Sequence, residues 1–167
     1  SSKLLSKELG TALTGRHISF IVYPLSFKEY IHFHGYEASL ARKYLENFLQ
    51  EGGFPQAILT KDQRLLQNYF EDILFRDIVS RYKVRDIDSL KKIALFCLTN
   101  IGKEFSYNSM RKQLNISLDT VKEYIHYLEE SYLLFQLQIY SDSLKTQYLS
   151  KKKIYAIDTG LRNAVCF

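Results

Sequence analysis

The tripeptide Asn115-Ile116-Ser117 constrains this chain more than any other feature, because it separates two helical patterns by a turn with no room for anything else. Asn tolerates positive φ and can close a helix of about 107–114 capped by Ser106, while Ser117 can cap the next helix, about 118–131. In that second helix Val121, Tyr124, Ile125 and Leu128 share one face. A helix of about 88–101, with Leu90, Ile93, Ala94 and Cys97 on one side, precedes the pair. After residue 131 the period falls to 2, with Leu133, Phe135, Leu137 and Ile139 alternating against their neighbours to Tyr140, which predicts a strand. Ser141-Asp142-Ser143 starts a turn, and Lys153 to Ile157 predicts a second strand. Three helices, a tight turn before the third, and a β-hairpin are the order of a winged helix-turn-helix.

The first half reads differently. Leu4, Leu5, Leu9 and Leu13 predict a short helix over 3–13, and the β-branched and aromatic run 16–23, closed by Pro24, predicts a strand. No neighbour for that strand is evident, so its sheet partners are expected upstream of residue 1. Ser26 and Glu29 stand at capping-box spacing, as do Thr60 and Gln63. Ala41, Leu45, Phe48 and Leu49 form the stripe of a packed helix ended by Gly52-Gly53, and Leu66, Tyr69, Phe70, Ile73, Leu74 and Ile78 predict a long helix to about Tyr82.

Only 7 Gly and 2 Pro interrupt 167 residues that include 13 Tyr and 11 Phe, which favours a mainly α fold over a loop-rich barrel. The length suits one domain or two small ones sharing a core. The net charge of +5 is spread along the chain and permits phosphate binding without demanding it. Cys97 and Cys166 are too few for a disulfide framework or a thiolate metal site, and a reducing cytosol is the simplest setting. Charges interrupt every apolar run before the ~20 residues of a membrane span. A cytoplasmic protein without membrane contact is expected, and both ends, Ser1-Ser2-Lys3 and Val165-Cys166-Phe167, read as cut from a longer one.

Seven stretches occur in a fixed order: Ser1-Ser2-Lys3-Leu4-Leu5, Leu13-Thr14-Gly15-Arg16, Tyr23-Pro24-Leu25-Ser26-Phe27-Lys28-Glu29, Gly52-Gly53-Phe54-Pro55, Phe75-Arg76-Asp77-Ile78, Thr120-Val121-Lys122-Glu123-Tyr124, and Lys153-Ile154-Tyr155-Ala156-Ile157-Asp158-Thr159-Gly160-Leu161. In this the chain resembles bacterial and archaeal AAA+-type P-loop ATPases, in which the core is followed by a helical lid, a winged helix and a restriction-endonuclease-like domain of unclear function. The resemblance implies the end of an ATPase core over 1–30, the lid over 31–85, the winged helix over 86–157, and the start of a truncated C-terminal domain over 158–167.

It further implies nucleotide-sensing roles for Ser1 or Ser2 beside the γ-phosphate and for Arg16 at the nucleotide edge or a subunit boundary. An exposed end and a solvated charge account for the same residues. Gly52, Gly53 and Pro55 would form a lid turn approaching the adenine, although a helix stop followed by a proline turn explains them as well. ATP and Mg would belong to the parent protein and none to this chain, because the only Gly-Lys, Gly102-Lys103, is followed by Glu104 and has no glycine five positions before it. The endonuclease carboxylate and lysine do not fit into Thr159–Phe167. The implied partners are the missing ATPase core and a homo-oligomer.

The alternative function is a winged-helix DNA-binding module or transcriptional regulator. Its contact candidates are Arg111 and Lys112, Lys122, and Lys151, Lys152 and Lys153. Against it, helix 118–131 sets Lys122 against Asp119, Glu123, Glu129 and Glu130 where a major-groove reader should oppose phosphates. His32 and His34 lack a third ligand of fixed spacing, so no metal site is expected. Arg76-Asp77 reads either as local ion pairs or as a lid-to-core coupling.

Overall fold

The computed structural model of the chain describes residues 18 and 20–166. The helix expected over 3–13, and Ser1, Ser2 and Arg16, lie outside the described residues. Of the strand expected over 16–23, residues 18 and 20–23 are described and belong to no strand, since no sheet strand pairs with them. Ile18, Phe20 and Val22 are open to solvent there.

Helix α1, Phe27–Phe33, opens on the expected capping box: Glu29 N–H donates to Ser26 Oγ at 3.4 Å and Ser26 N–H to Glu29 Oε2 at 2.8 Å. A 3₁₀ turn, Ala38–Leu40, leads into α2, Ala41–Glu51. Phe48 of α2 meets Phe27 and Tyr30 of α1 with ring centroids 5.3 Å apart, and the buried Tyr30 hydroxyl donates to Glu51 at 2.7 Å. Leu45 and Leu49 stay exposed, so the expected stripe is covered on one side only.

Pro55 starts α3, Pro55–Thr60, in the first turn, where its missing N–H costs nothing. The cap expected at Thr60 is absent: Thr60 closes α3 by donating to Gln56 O, Lys61 takes the left-handed conformation, and Asp62 caps α4, Gln63–Asp72, by accepting from Arg64 N–H. The helical run continues through a wider π-helical segment, Ile73–Val79, into α5, Ser80–Tyr82. Leu66, Phe70, Leu74 and Ile78 are buried at a spacing of four, which the wider turn keeps on one side.

The rest follows the caps. Asp86 accepts from Ser89 N–H and starts α6, Ile87–Thr99; Ser106 starts α7, Tyr107–Leu114; Asn115 closes α7 at φ +55°; Ser117 starts α8, Leu118–Glu130. Strand β1, Glu104–Phe105, was not foreseen. It joins β2, Leu134–Leu137, and β3, Lys152–Ala156, in an antiparallel sheet of order β1-β3-β2, with Phe135 opposite Tyr155 and Leu137 opposite Lys153. The connection between β2 and β3 carries a short helix α9, Leu144–Leu149, where only a turn was expected. The fold is mainly helical with this small sheet.

The main core gathers Leu74, Ile78, Leu90, Ile93, Leu98, Val121, Ile125, Leu128 and Leu133, each fully enclosed. Burial contributes about 1.5–3 kcal/mol per such side chain before conformational entropy is subtracted. Cys97 lies among them and burial pushes its thiol up to about 12, as expected of an inert structural cysteine. The last helix, α10, Thr159–Cys166, turns back to lie against α2 and α4, and its Leu161 joins the main core.

Candidate functional site

Gly52 ends α2 at φ +78°, its N–H donating to Phe48 O at 2.8 Å, and the chain then folds onto Asp158. Gly53 N–H donates to Asp158 Oδ2 at 2.6 Å and Gly53 O accepts from Leu25 N–H at 2.7 Å. Asp158 Oδ1 accepts the Leu161 N–H at 2.7 Å, so the same carboxylate caps α10. Asp158 is 5% exposed. Desolvation raises its carboxyl above the ordinary aspartate range, against the pull of N–H donors from Leu161, Gly53 and Gly160.

Each glycine is demanded by a close approach within the chain. A Cβ on Gly52 would stand 2.3 Å from Asp158 Oδ1, one on Gly53 2.3 Å from Leu25 O, and one on Gly160 2.0 Å from Glu51 O. This packing gives Gly52 and Gly53 a structural reason within the chain, in keeping with the helix stop and proline turn that also explain them. Pro55 is exposed and serves as a helix start. Beside the clamp lies a cleft of about 250 Å³ bordered by Gln50, Glu51, Ile58, Lys61 and Gly160. Its one lysine and mixed amides and acids offer a small polar ligand little beyond hydrogen bonds.

The basic candidates are spread over α7, α8 and the start of β3. Arg111 and Lys112 are exposed in the last turn of α7, and Lys122 is exposed on α8. Lys151 lies 3.5 Å from Glu104, while Lys152 turns to the opposite side of β3, its Nζ 3.4 Å from the Tyr107 hydroxyl and 5.3 Å from that ring's centre. Lys153 is exposed. Arg76 pairs with Asp72 at 4.0 Å and with the buried Asp77 at 3.3 Å. His34 stacks on Tyr36 at 4.8 Å, and Tyr36 on Tyr44 at 3.8 Å, a packing role for the histidine. Among the described residues no group of three or more His, Cys, Asp or Glu could hold a metal ion, and no helix is long and apolar enough to cross a membrane.

The residue that sequence reasoning undervalued is Asp158. Its signal was an acid three positions before Leu161, at cap spacing, which was read as the start of another domain.

The family described as Domain of unknown function (DUF8612) matches residues 42–166. The chain is 34% identical over 176 residues to the uncharacterized protein MJ1544 of Methanocaldococcus jannaschii, covering 95% of this chain and 40% of that protein. It is 30% identical over 172 residues to an uncharacterized protein of Haemophilus influenzae, covering 97% of this chain and 43% of that one. It thus spans about two fifths of the length of the curated relatives it matches. No solved structure matches.

Proposed function

From the premise that the chain belongs to the family described as Domain of unknown function (DUF8612), we propose that it is the lid and winged-helix portion of an AAA+-type P-loop ATPase whose nucleotide chemistry lies upstream. The observation that carries this reading is the clamp. Gly52-Gly53-Phe54-Pro55 and Asp158-Thr159-Gly160-Leu161, two of the stretches on which the resemblance rests, stand 105 residues apart and meet through one buried carboxylate. A resemblance made of unrelated coincidences would have no reason to bring them together.

The order α6, β1, α7, α8, β2, β3 and the sheet order β1-β3-β2 support a winged helix. ATP and Mg belong to the upstream core, and no residue of this chain is assigned to hold them. That core, and further copies of the protein, are the partners. Exposed Arg111, Lys112, Lys122 and Lys153 favour a second reading, a winged-helix DNA-binding module or transcriptional regulator. The acids of α8 oppose it.

The test is calorimetric titration of ATP into the full-length gene product and into this chain. Binding by the longer protein alone is expected. Low-micromolar affinity in the 167-residue chain, or none in the full-length protein, would sink the reading.

A further inference from the structure

The alternation of β2 and β3 leaves one face of the sheet uncovered. Leu134 and Ile154 are buried in the main core, so their neighbours Phe135, Leu137, Lys153 and Tyr155 point away from it. The Phe135 and Tyr155 rings stack across the two strands, with centroids 5.7 Å apart and planes 21° from parallel. This pair joins two hollows. Phe135 borders a groove of about 690 Å³ at the start of β2, whose edge carries His126, Glu129 and Glu130 of α8. Tyr155 borders a second hollow of about 610 Å³ around the end of β2, together with Leu137, Ile139, Lys151 and Lys153. Phe135, Leu137 and Ile139 are 39%, 50% and 52% exposed. The face is therefore one apolar strip with carboxylates at one end and lysines at the other.

We propose that this strip is the interface of a two-fold dimer, in which a second copy of the chain lies face to face on the first with its strands reversed. A two-fold axis through the Phe135 and Tyr155 pair lays each strip on its own inverse. The carboxylate end of one copy, Glu129 and Glu130, then lies over the lysine end of the other, Lys151 and Lys153, and the symmetry makes the reciprocal contact at the same time. Phe135, Leu137 and Tyr155 of both copies form an apolar centre with charges at its rim, the usual anatomy of a protein interface. The proposal goes beyond the functional reading above and needs no nucleotide, so the ATP titration tests that reading separately.

Charge selects the occupant. A nucleic acid or an anionic lipid surface needs cations along the whole strip, and would meet Glu129 and Glu130 at one end of it. At the other end Glu104, 3.5 Å from Lys151, weakens the attraction for a polyanion and leaves Lys153 as the second cation. A surface that carries the two signs at opposite ends is complementary to itself after a half turn. Pairing through the sheet edge is closed off. Glu129 accepts the Gln136 N–H at 2.9 Å and the Gln136 side-chain amide at 2.7 Å, which occupies the outer edge of β2. The copies must therefore meet by their faces and not by extending the sheet.

The experiment is sedimentation equilibrium of the 167-residue chain over a ~100-fold range of concentration through the micromolar level. A mass that rises from one chain toward two is expected. Lys153→Glu and Glu130→Lys should each weaken the dimer about tenfold or more, because each sets like charges against one another at both ends of the interface. An equimolar mixture of the two variants should recover the dimer of the wild type, since every end contact then joins opposite charges. Recovery on mixing also shows that both variants are folded. Leu137→Asp, a change at an exposed position, should hold the chain as a monomer with the circular dichroism of the wild type, and it tests the apolar centre independently of the charges. A monomer over the whole range would overturn the proposal, as would association that requires added DNA. Dimers of the three variants as tight as that of the wild type would place the interface on another face, and folded charge variants that stay apart on mixing would exclude the antiparallel pairing.

Discussion

Gly53 N–H donates to one oxygen of Asp158 at 2.6 Å while the other oxygen accepts Leu161 N–H at 2.7 Å, so a single buried carboxylate closes a 105-residue loop and caps the helix that follows. The link joins the turn after α2 to the end of β3, and α10, lying against α2 and α4, extends the same union. Motion of the early helices relative to the sheet requires breaking it.

Asp158→Ala should destabilise the protein by about 2–4 kcal/mol, because two buried N–H groups lose their acceptor at once. Asp158→Asn retains one acceptor and turns an amide donor toward the other N–H, so a loss of about 1–2 kcal/mol is expected. Thermal and urea denaturation measure both, and a wild-type midpoint in the Ala variant would show that the clamp holds nothing.

The same pair of proteins gives a pH dependence of definite sign. Burial raises the Asp158 carboxyl above its ordinary value of 3.8, so on acidification the native state takes up this proton before the unfolded chain does. The contribution is complete below the unfolded value and is lost as pH rises through the folded one. Wild type should therefore gain on Asp158→Asn between neutral pH and about 4.5. Paired melts at both pH values check the direction, and a wild type that loses ground on acidification contradicts it.

Glycine substitutions should divide by surroundings, not by φ alone. Gly35, at φ +67° with nothing within 4 Å of an added Cβ, should lose only about 1–2 kcal/mol as Ala. Gly52→Ala forces a side chain onto a backbone at φ +78° and ψ −162°, a region kept almost wholly for glycine, and also drives a methyl into Asp158, while Gly53→Ala meets Leu25 O, so each should lose more than the Gly35 variant, roughly 3 kcal/mol or above. Equal midpoints for the three would mean that the turn relaxes freely.

What was legible in the sequence was local. Ser106, Asn115 and Ser117 act on groups within three or four residues, and the stripe Val121, Tyr124, Ile125 and Leu128 needs only one helix to be seen; all of these stand where their spacing put them. Strand β1 has two residues and so no period, and α9 hides behind a serine that also suits a turn. Periodicity reports which side of α2 is apolar, not whether a partner covers it, which is why Leu45 and Leu49 were misjudged. The Gly53–Asp158 contact has no local signature, and the two stretches surfaced only as parts of a family resemblance.

Tyr124→Asp tests the reading of α8 from the inside. Tyr124 is 6% exposed within the main core, and a carboxylate there has no cationic partner among the core side chains. A loss of several kcal/mol is expected, on the order of ~3 or more. The exposed-face variant His126→Ala should leave the midpoint nearly unchanged, and if the two variants melted alike the inward and outward faces would have been exchanged.

Nucleic acid separates the two functional readings most sharply. A sequence-reading α8 would place Asp119, Lys122, Glu123 and His126, all outside the core, against bases and phosphates, and Asp119 and Glu123 would set carboxylates against the duplex. No sequence-specific affinity is therefore expected. Residual binding should come from Lys153, Arg111 and Lys112, tolerate any sequence and fall steeply with salt, because it rests on released counterions. Lys151 is already engaged by Glu104 and Lys152 by Tyr107, so changing residues 151–153 together to Ala should lower the salt slope by about one phosphate contact and not three. Lys122→Ala should do less. A duplex titration at two salt concentrations measures all of this, and selective binding that survives added salt and disappears with Lys122→Ala would establish the DNA-reading alternative.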